Sequence, residues 1–177
     1  MKQIVISILI WFVSAFRYIR SKIATTILRF RAVKMGHHCG AARIPHIAGG
    51  VRLEIGHHAG FNGFTATGWG GIKIGNHFHS GTNVKIMLGS HDYDHDDRIP
   101  YGNKHTSKQV IIDDYVWLGD DVTISGNVHI EEGAIVAIGS VVVKDIPRCA
   151  IVGGNPAKII KYRDIDHFDK LKAEGKY

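Results

Sequence analysis

His91 stands where an imidazole could move a proton. It opens a polar stretch, Gly89-Ser90-His91-Asp92-Tyr93-Asp94-His95-Asp96-Asp97, flanked on both sides by regular apolar sequence. Imidazole titrates closest to neutral pH, so it can take a proton from a substrate and return it within one cycle. Three readings are open here. A His in a polar loop commonly does no more than face water. His and Asp alternate densely from His91 to Asp97, and both are metal-ligand types. The third reading makes His91, fixed at a loop root, a general base against bound substrate.

The stretch 87–109 lacks any repeat and carries three His and five charged Asp or Arg. A long loop inside a compact repeat fold is uncommon and usually functional. What surrounds it is a repeat. Ile112, Leu118, Ile124, Ile130, Val136 and Val142 recur every sixth residue, and Val116, Val122, Val128, Ala134, Ser140 and Ile146 follow four later. A period of six belongs neither to a helix nor to simple alternation. It predicts a solenoid of parallel strands, each hexapeptide one side of a triangular coil, with the aliphatic residues stacked inward about 4.8 Å apart. An ordinary sandwich would not hold both registers through six units. Ragged units precede the loop, at Ile55, Phe61, Ile74, Ser80 and Ile86, with an interruption at 67–71. After Pro147 come a bend at 152–158 and a short helix capped by Asp164, with Ile165, Phe168 and Leu171 as its apolar stripe.

Residues 1–53 hold nine Lys or Arg and no acid, while the remainder has 13 basic against 16 acidic residues. The basic end therefore expects an anionic partner. Nucleic acid is excluded as that partner by the absence of a reader motif and by the apolar character of the segment. Gln3 to Phe16 is almost wholly apolar, yet fourteen residues are fewer than the ~20 a spanning helix needs. No small-residue cleavage site follows. Phe16, Ile19, Ile23, Ile27 and Phe30 then recur at helical spacing among basic residues, which predicts a basic amphipathic helix that lies on a membrane interface or packs on the solenoid. The organisation expected is a helical segment over 1–34, a solenoid over 35–163 and a C-terminal helix over 164–177. Cys39 and Cys149 form neither a disulfide framework nor a metal spacing, so a reducing compartment is expected.

The run Val110-Ile111-Ile112-Asp113-Asp114-Tyr115-Val116-Trp117-Leu118-Gly119, the segment 139–147 and the bend Gly154-Asn155-Pro156-Ala157-Lys158 resemble the hexapeptide-repeat acyltransferases. The likeness covers about 36–163 and is to the branch of galactoside, maltose and xenobiotic acetyltransferases and sugar O-acetyltransferases of bacterial surface-polysaccharide synthesis. It implies an all-β, left-handed parallel β-helix with an extruded active-site loop. It also implies a homotrimer binding acetyl-CoA between neighbouring solenoids, acetylation of a carbohydrate hydroxyl, no metal, and a cytoplasmic location or one peripheral to the inner membrane face. His91 matches the catalytic histidine. Asn62 matches an acceptor-binding asparagine, with Asp92, Tyr93 and Asn83 as further acceptor candidates. Trp117, Gly119, the Asp120 backbone N–H, Gly139, Ser140, Lys144, Lys158 and Arg163 fall where the cofactor would run. The family usually has a small residue at the place of Asp120. N-acetylation, a carbonic-anhydrase-like hydratase using His57, His58, His77 and His79, and a silent trimeric scaffold are the competing readings.

Overall fold

The protein, described from a computed structural model over residues 2–177, is a three-sided parallel β-solenoid of about six turns. The chain visits the three faces in strict rotation. Face one is built from Lys34–Met35, Gly50–Ile55, the second half of Phe64–Ile74, Lys108–Ile112 and Val128–Ile130. Face two is built from Gly40–Ala41, Gly60–Phe61, His79–Ser80, Trp117–Leu118, Ile135–Val136 and Ala150–Gly153, and face three includes Val84–Leu88, Thr123–Ser125 and Val141–Val142. Leu118 pairs in parallel with Val136, Ile124 with Val142, and Ile112 with Ile130. Each pair is separated by three hexapeptides, one full turn. All six first-position aliphatics are at most 1% exposed, and the six residues four places on are buried with them. Each such aliphatic contributes about 1.5–3 kcal/mol by leaving water.

Corners need backbone that a strand cannot supply. Between faces one and two the turn falls on His38, His58, His77, Tyr115, Gly133 and Cys149, all at φ between 53° and 70°. The interruption expected at 67–71 is absent. Phe64–Ile74 is one strand that bends from face three onto face one. Gly68 and Gly70 make the bend at φ 98° and 143°, and a Cβ on Gly70 would lie 1.8 Å from the Lys108 carbonyl oxygen. No other residue fits there.

The N-terminal helix, α1 (Lys2–Arg31), is one continuous rod, longer than the fourteen apolar residues alone imply. Its docked face is also not the expected stripe: Phe16, Ile19, Ile23 and Phe30 are exposed, and Ala24 and Leu28 are buried. The reason lies in the edge of the first coil. The Ser21 hydroxyl donates to the Ala41 carbonyl at 2.9 Å, the Thr25 hydroxyl accepts from Ala41 N–H at 2.9 Å, and Arg20 Nε donates to the Ala42 carbonyl at 3.1 Å. Small polar side chains let the helix approach closely and satisfy a strand edge otherwise left unpaired. At the other end, Ala150–Gly153 and Lys158–Tyr162 pair antiparallel around the 154–157 turn, and α2 (Ile165–Ala173) follows. Its cap is Asp164, whose side chain accepts from His167 N–H, and Phe168 is the residue it buries.

Candidate functional site

The chain leaves the solenoid after Val84–Leu88 on face three and returns at Lys108 on face one, so residues 89–107 project from the corner between those faces. Gly89, at φ 93°, turns it outward. The loop root is zipped: Thr106 N–H donates to the Ser90 carbonyl at 2.8 Å, Asp92 N–H to the Lys104 carbonyl at 3.0 Å, and His91 bridges His105 in antiparallel register. His91 is therefore on a short ladder tied to rigid coils.

His91 Nδ1 lies 3.2 Å from the Gly102 carbonyl. A carbonyl can only accept, so Nδ1 carries the hydrogen and the neutral ring leaves Nε2 bare as a proton acceptor. Three aromatic rings hold that orientation. Tyr101 stacks on His91 with centroids 3.8 Å apart, His105 lies 4.6 Å away, and Trp69 presents an edge at 6.3 Å while stacking on His105 at 3.7 Å. A cavity of about 550 Å³ opens beside them, lined by Gly68, Trp69, Met87, Ser90, His91 and Lys108. Sequence reasoning singled out none of Trp69, Tyr101, Gly102 or His105. The available signals were a tryptophan inside a glycine run and a third histidine in the loop.

Of the other loop candidates, Tyr93 is exposed and Asp92 turns toward His95, whose ring Nδ1 is 3.0 Å from its carboxylate. That hydrogen bond holds the Asp92 carboxyl below the usual carboxylate range.

The remaining candidates gather elsewhere. Asn62, Trp117, Asp120 and Arg163 line a second cavity, of about 610 Å³, that crosses face two from Tyr115 at its corner with face one to Asn62 at its corner with face three. Beside it an apolar slot of about 420 Å³ is walled by Trp117, Gly119, Ala137 and Ile138. Trp117 and Ile138 are 55% and 70% exposed there, a lining suited to an alkyl-amide arm. The Asp120 carboxylate accepts from Thr82 N–H on the coil before, so the residue unusual at that position ties two turns together. Among the described residues, no acceptor lies within hydrogen-bond reach of Asp120 N–H. Gly139, at φ 68°, turns its corner and donates to the Asp120 carbonyl. Asn83 turns another corner, with its amide on Asp121. Ser140 is fully buried and its hydroxyl donates to the Ala137 carbonyl at 2.6 Å, so it offers a cofactor no side-chain atom. Arg163 donates to the Gly133 carbonyl at 3.1 Å and lies over the Phe168 ring, which anchors it inward. Lys158 is exposed beside the bend, and Lys144 is exposed at the same kind of corner as the loop.

One chain thus holds His91 and Asn62 at different edges of the prism, with face three between them. Among the described residues, His57, His58, His77 and His79 form no group of three that could hold a metal ion. His38, His58, His77 and Tyr115 form a ring-on-ring column with neighbouring centroids 4.7–5.1 Å apart.

The fold and repeat are those of the hexapeptide-repeat acetyltransferases. No family model matches the chain. It is 32% identical to the galactoside O-acetyltransferase of Lactococcus lactis over 127 residues, 68% of this chain and 60% of that protein. It is 48% identical over 64 residues to a 2,3,4,5-tetrahydropyridine-2,6-dicarboxylate N-acetyltransferase of Clostridium perfringens, 36% of this chain and 26% of that one. The hexapeptide-repeat acetyltransferase of Vibrio cholerae in complex with acetyl coenzyme A superposes with a TM-score of 0.65 at 29% identity, over 76% of this chain and 73% of that one. The chain spans less than two thirds of the length of the curated relatives it matches.

Proposed function

We propose that the protein transfers an acetyl group from acetyl-CoA to a carbohydrate hydroxyl, with His91 as general base, as a homotrimer. The observation that carries this reading is the His91–Gly102 hydrogen bond beside an open cavity, which makes Nε2 the proton-accepting nitrogen of the neutral ring at a rigid loop root. A sugar hydroxyl is a poor nucleophile. Nε2 takes its proton as the oxygen attacks the thioester carbonyl, which contributes roughly 10² to 10⁴-fold. The carbonyl oxygen becomes an oxyanion, and the free Asp120 N–H is a fixed donor of the type that stabilises one. Collapse breaks the carbon–sulfur bond, and the imidazolium returns the proton to the departing CoA thiolate.

In this reading the apolar slot at Trp117 and Ile138 takes the pantetheine arm, past Gly119 and Gly139. Lys158 and Lys144 are the cations free for phosphate, and Asn62 contacts the acceptor. Since His91 and Asn62 occupy different edges of one prism, a site containing both needs the His91 edge of one copy against the Asn62 edge of the next. A C₃ ring of heterologous contacts supplies that arrangement three times. Relatives that acetylate oxygen support the hydroxyl as acceptor, and bacterial surface-polysaccharide synthesis is the role this chemistry fits. The test is CoA release with acetyl-CoA and a panel of sugars, nucleotide-sugars and lipid-linked sugars. His91→Ala should lower turnover roughly 10² to 10⁴-fold. Near-normal turnover in that variant rules the base role out, and acetylation confined to amines replaces the hydroxyl.

A further inference from the structure

α1 changes character along its length. Between residues 4 and 13, Ile4, Val5, Ile8, Leu9, Trp11 and Phe12 are 50–65% exposed. At 100° per residue these six span about 160°, and the equally exposed Ile6, Ile10 and Val13 widen the apolar arc to about 260°, with Ser7 and Ser14 in the gap that remains; the apolar 18-residue window of the helix has no part buried. Beyond Phe16 the apolar residues narrow to a stripe, and Arg17, Arg20 and Lys22 appear at once, with the Lys22 ammonium 5.2 Å from the Tyr18 ring. A helix with so wide an apolar arc and no charged residue from Gln3 to Phe16 is not an interfacial helix, which keeps a charged face in water. It needs an apolar medium around it. The shift to Arg, Lys and Tyr is the composition of a membrane–water boundary.

We infer that the N-terminal part of α1 inserts steeply into a bilayer carrying anionic headgroups, with Tyr18 and the cluster Arg17, Arg20 and Lys22 at the headgroup level. The seventeen helical residues from Lys2 to Tyr18 rise about 25 Å, a few Å short of the ~30 Å hydrocarbon thickness, and long basic side chains snorkel to close the difference. Charge complementarity identifies the occupant: residues 1–53 carry nine basic groups and no acid, so every ion near the boundary is attracted to an anionic surface. The same helix is bonded to the first coil from this boundary onward, through Arg20 itself, Ser21 and Thr25. Insertion therefore anchors the solenoid directly beneath the headgroups as one rigid unit. The basic flank puts the solenoid on the cytoplasmic side. This inference stands apart from the catalytic reading and survives its failure.

The test uses the full-length protein with phosphatidylcholine vesicles with and without phosphatidylglycerol, the lipids brominated either near the headgroup or deep in the acyl chain. Trp11 emission is obtained by subtracting the spectrum of Trp11→Phe. Expected are retention on vesicles through alkaline carbonate washing, tighter binding with phosphatidylglycerol, and strongest quenching of Trp11 by the deep bromines. Leu9→Arg combined with Phe12→Arg should weaken vesicle binding at least about 50-fold with the Tm of the solenoid unchanged, since neither residue touches it. Quenching by shallow bromines only, binding that survives the double variant, soluble oligomers that shield Trp11 without lipid, or a mature chain whose N-terminus lies beyond residue 31 would each overturn it.

Discussion

The Tyr101 ring lies on the His91 ring, planes 20° apart and centroids 3.8 Å apart, and the next residue, Gly102, accepts the His91 Nδ1 hydrogen. One dipeptide thus sets both the tilt and the tautomer of the imidazole. Tyr101→Ala removes the stacking, worth about 0.5–1.5 kcal/mol, and should lower kcat roughly 2- to 12-fold. Tyr101→Phe, which keeps the ring face, should retain near-normal kcat. Equal losses in both variants, measured with saturating acceptor, would assign the effect to the hydroxyl instead.

The two-edge arrangement makes a sharper prediction about assembly. His91→Ala and Asn62→Ala proteins should each be inactive alone. Unfolded together in equal amounts and refolded, they should regain about one quarter of wild-type activity, because a site between copies is intact when each neighbour supplies its own unmutated residue. No recovery, with size measurements showing mixed trimers, would put both residues to work within one copy.

The histidine column should be felt in stability. Burial, with help from the His58 charge, pushes the His77 imidazole below its ordinary value, against the pull of Asp114. The unfolded chain then binds more protons than the folded one between that lowered value and about 6.5. Stability is full above about pH 6.5 and declines as pH falls through the folded value. Thermal unfolding followed from pH 7.5 down to 5 should show a falling Tm, and His77→Gln should flatten that fall. An identical slope in the variant would discharge His77 from the effect.

Gly70 is the sharpest packing constraint next to the loop. A methyl there meets the Lys108 carbonyl at 1.8 Å on backbone already at φ 143°. Gly70→Ala should cost at least about 2 kcal/mol and displace the strand that receives the loop. The checks are urea midpoints and CoA release, both expected to fall; Gly71→Ala, whose Cβ meets nothing closer than 3.9 Å, is the matched control.

Much of this molecule was legible in its residues. The six-residue period reads directly because an inward position recurs once per hexapeptide, so Ile112 through Val142 report the prism with no other information. The break in that period placed His91 at a loop root, and the resemblance to the acyltransferases, not the period, marked it as a base. The helix was harder. Hydrophobicity pointed to Phe16, Ile19, Ile23, Ile27 and Phe30 as a stripe for a membrane interface or for the solenoid, but the edge of the first coil needed hydrogen-bond partners, and Ser21 and Thr25 supplied them.

By itself the sequence determined the solenoid and the extruded loop, since each depends on periodicity or its interruption, while the candidate base came from the resemblance of its motifs. Tertiary structure decided what depends on distance through space: Gly102 orienting His91, the aromatic cluster around it, the inward ties of Ser140 and Arg163, and the separation of His91 from Asn62 by a whole face. Residues that stack one turn apart lie sixteen to twenty positions apart along the chain, or thirty-eight where the loop intervenes. No local pattern records which corner each one turns.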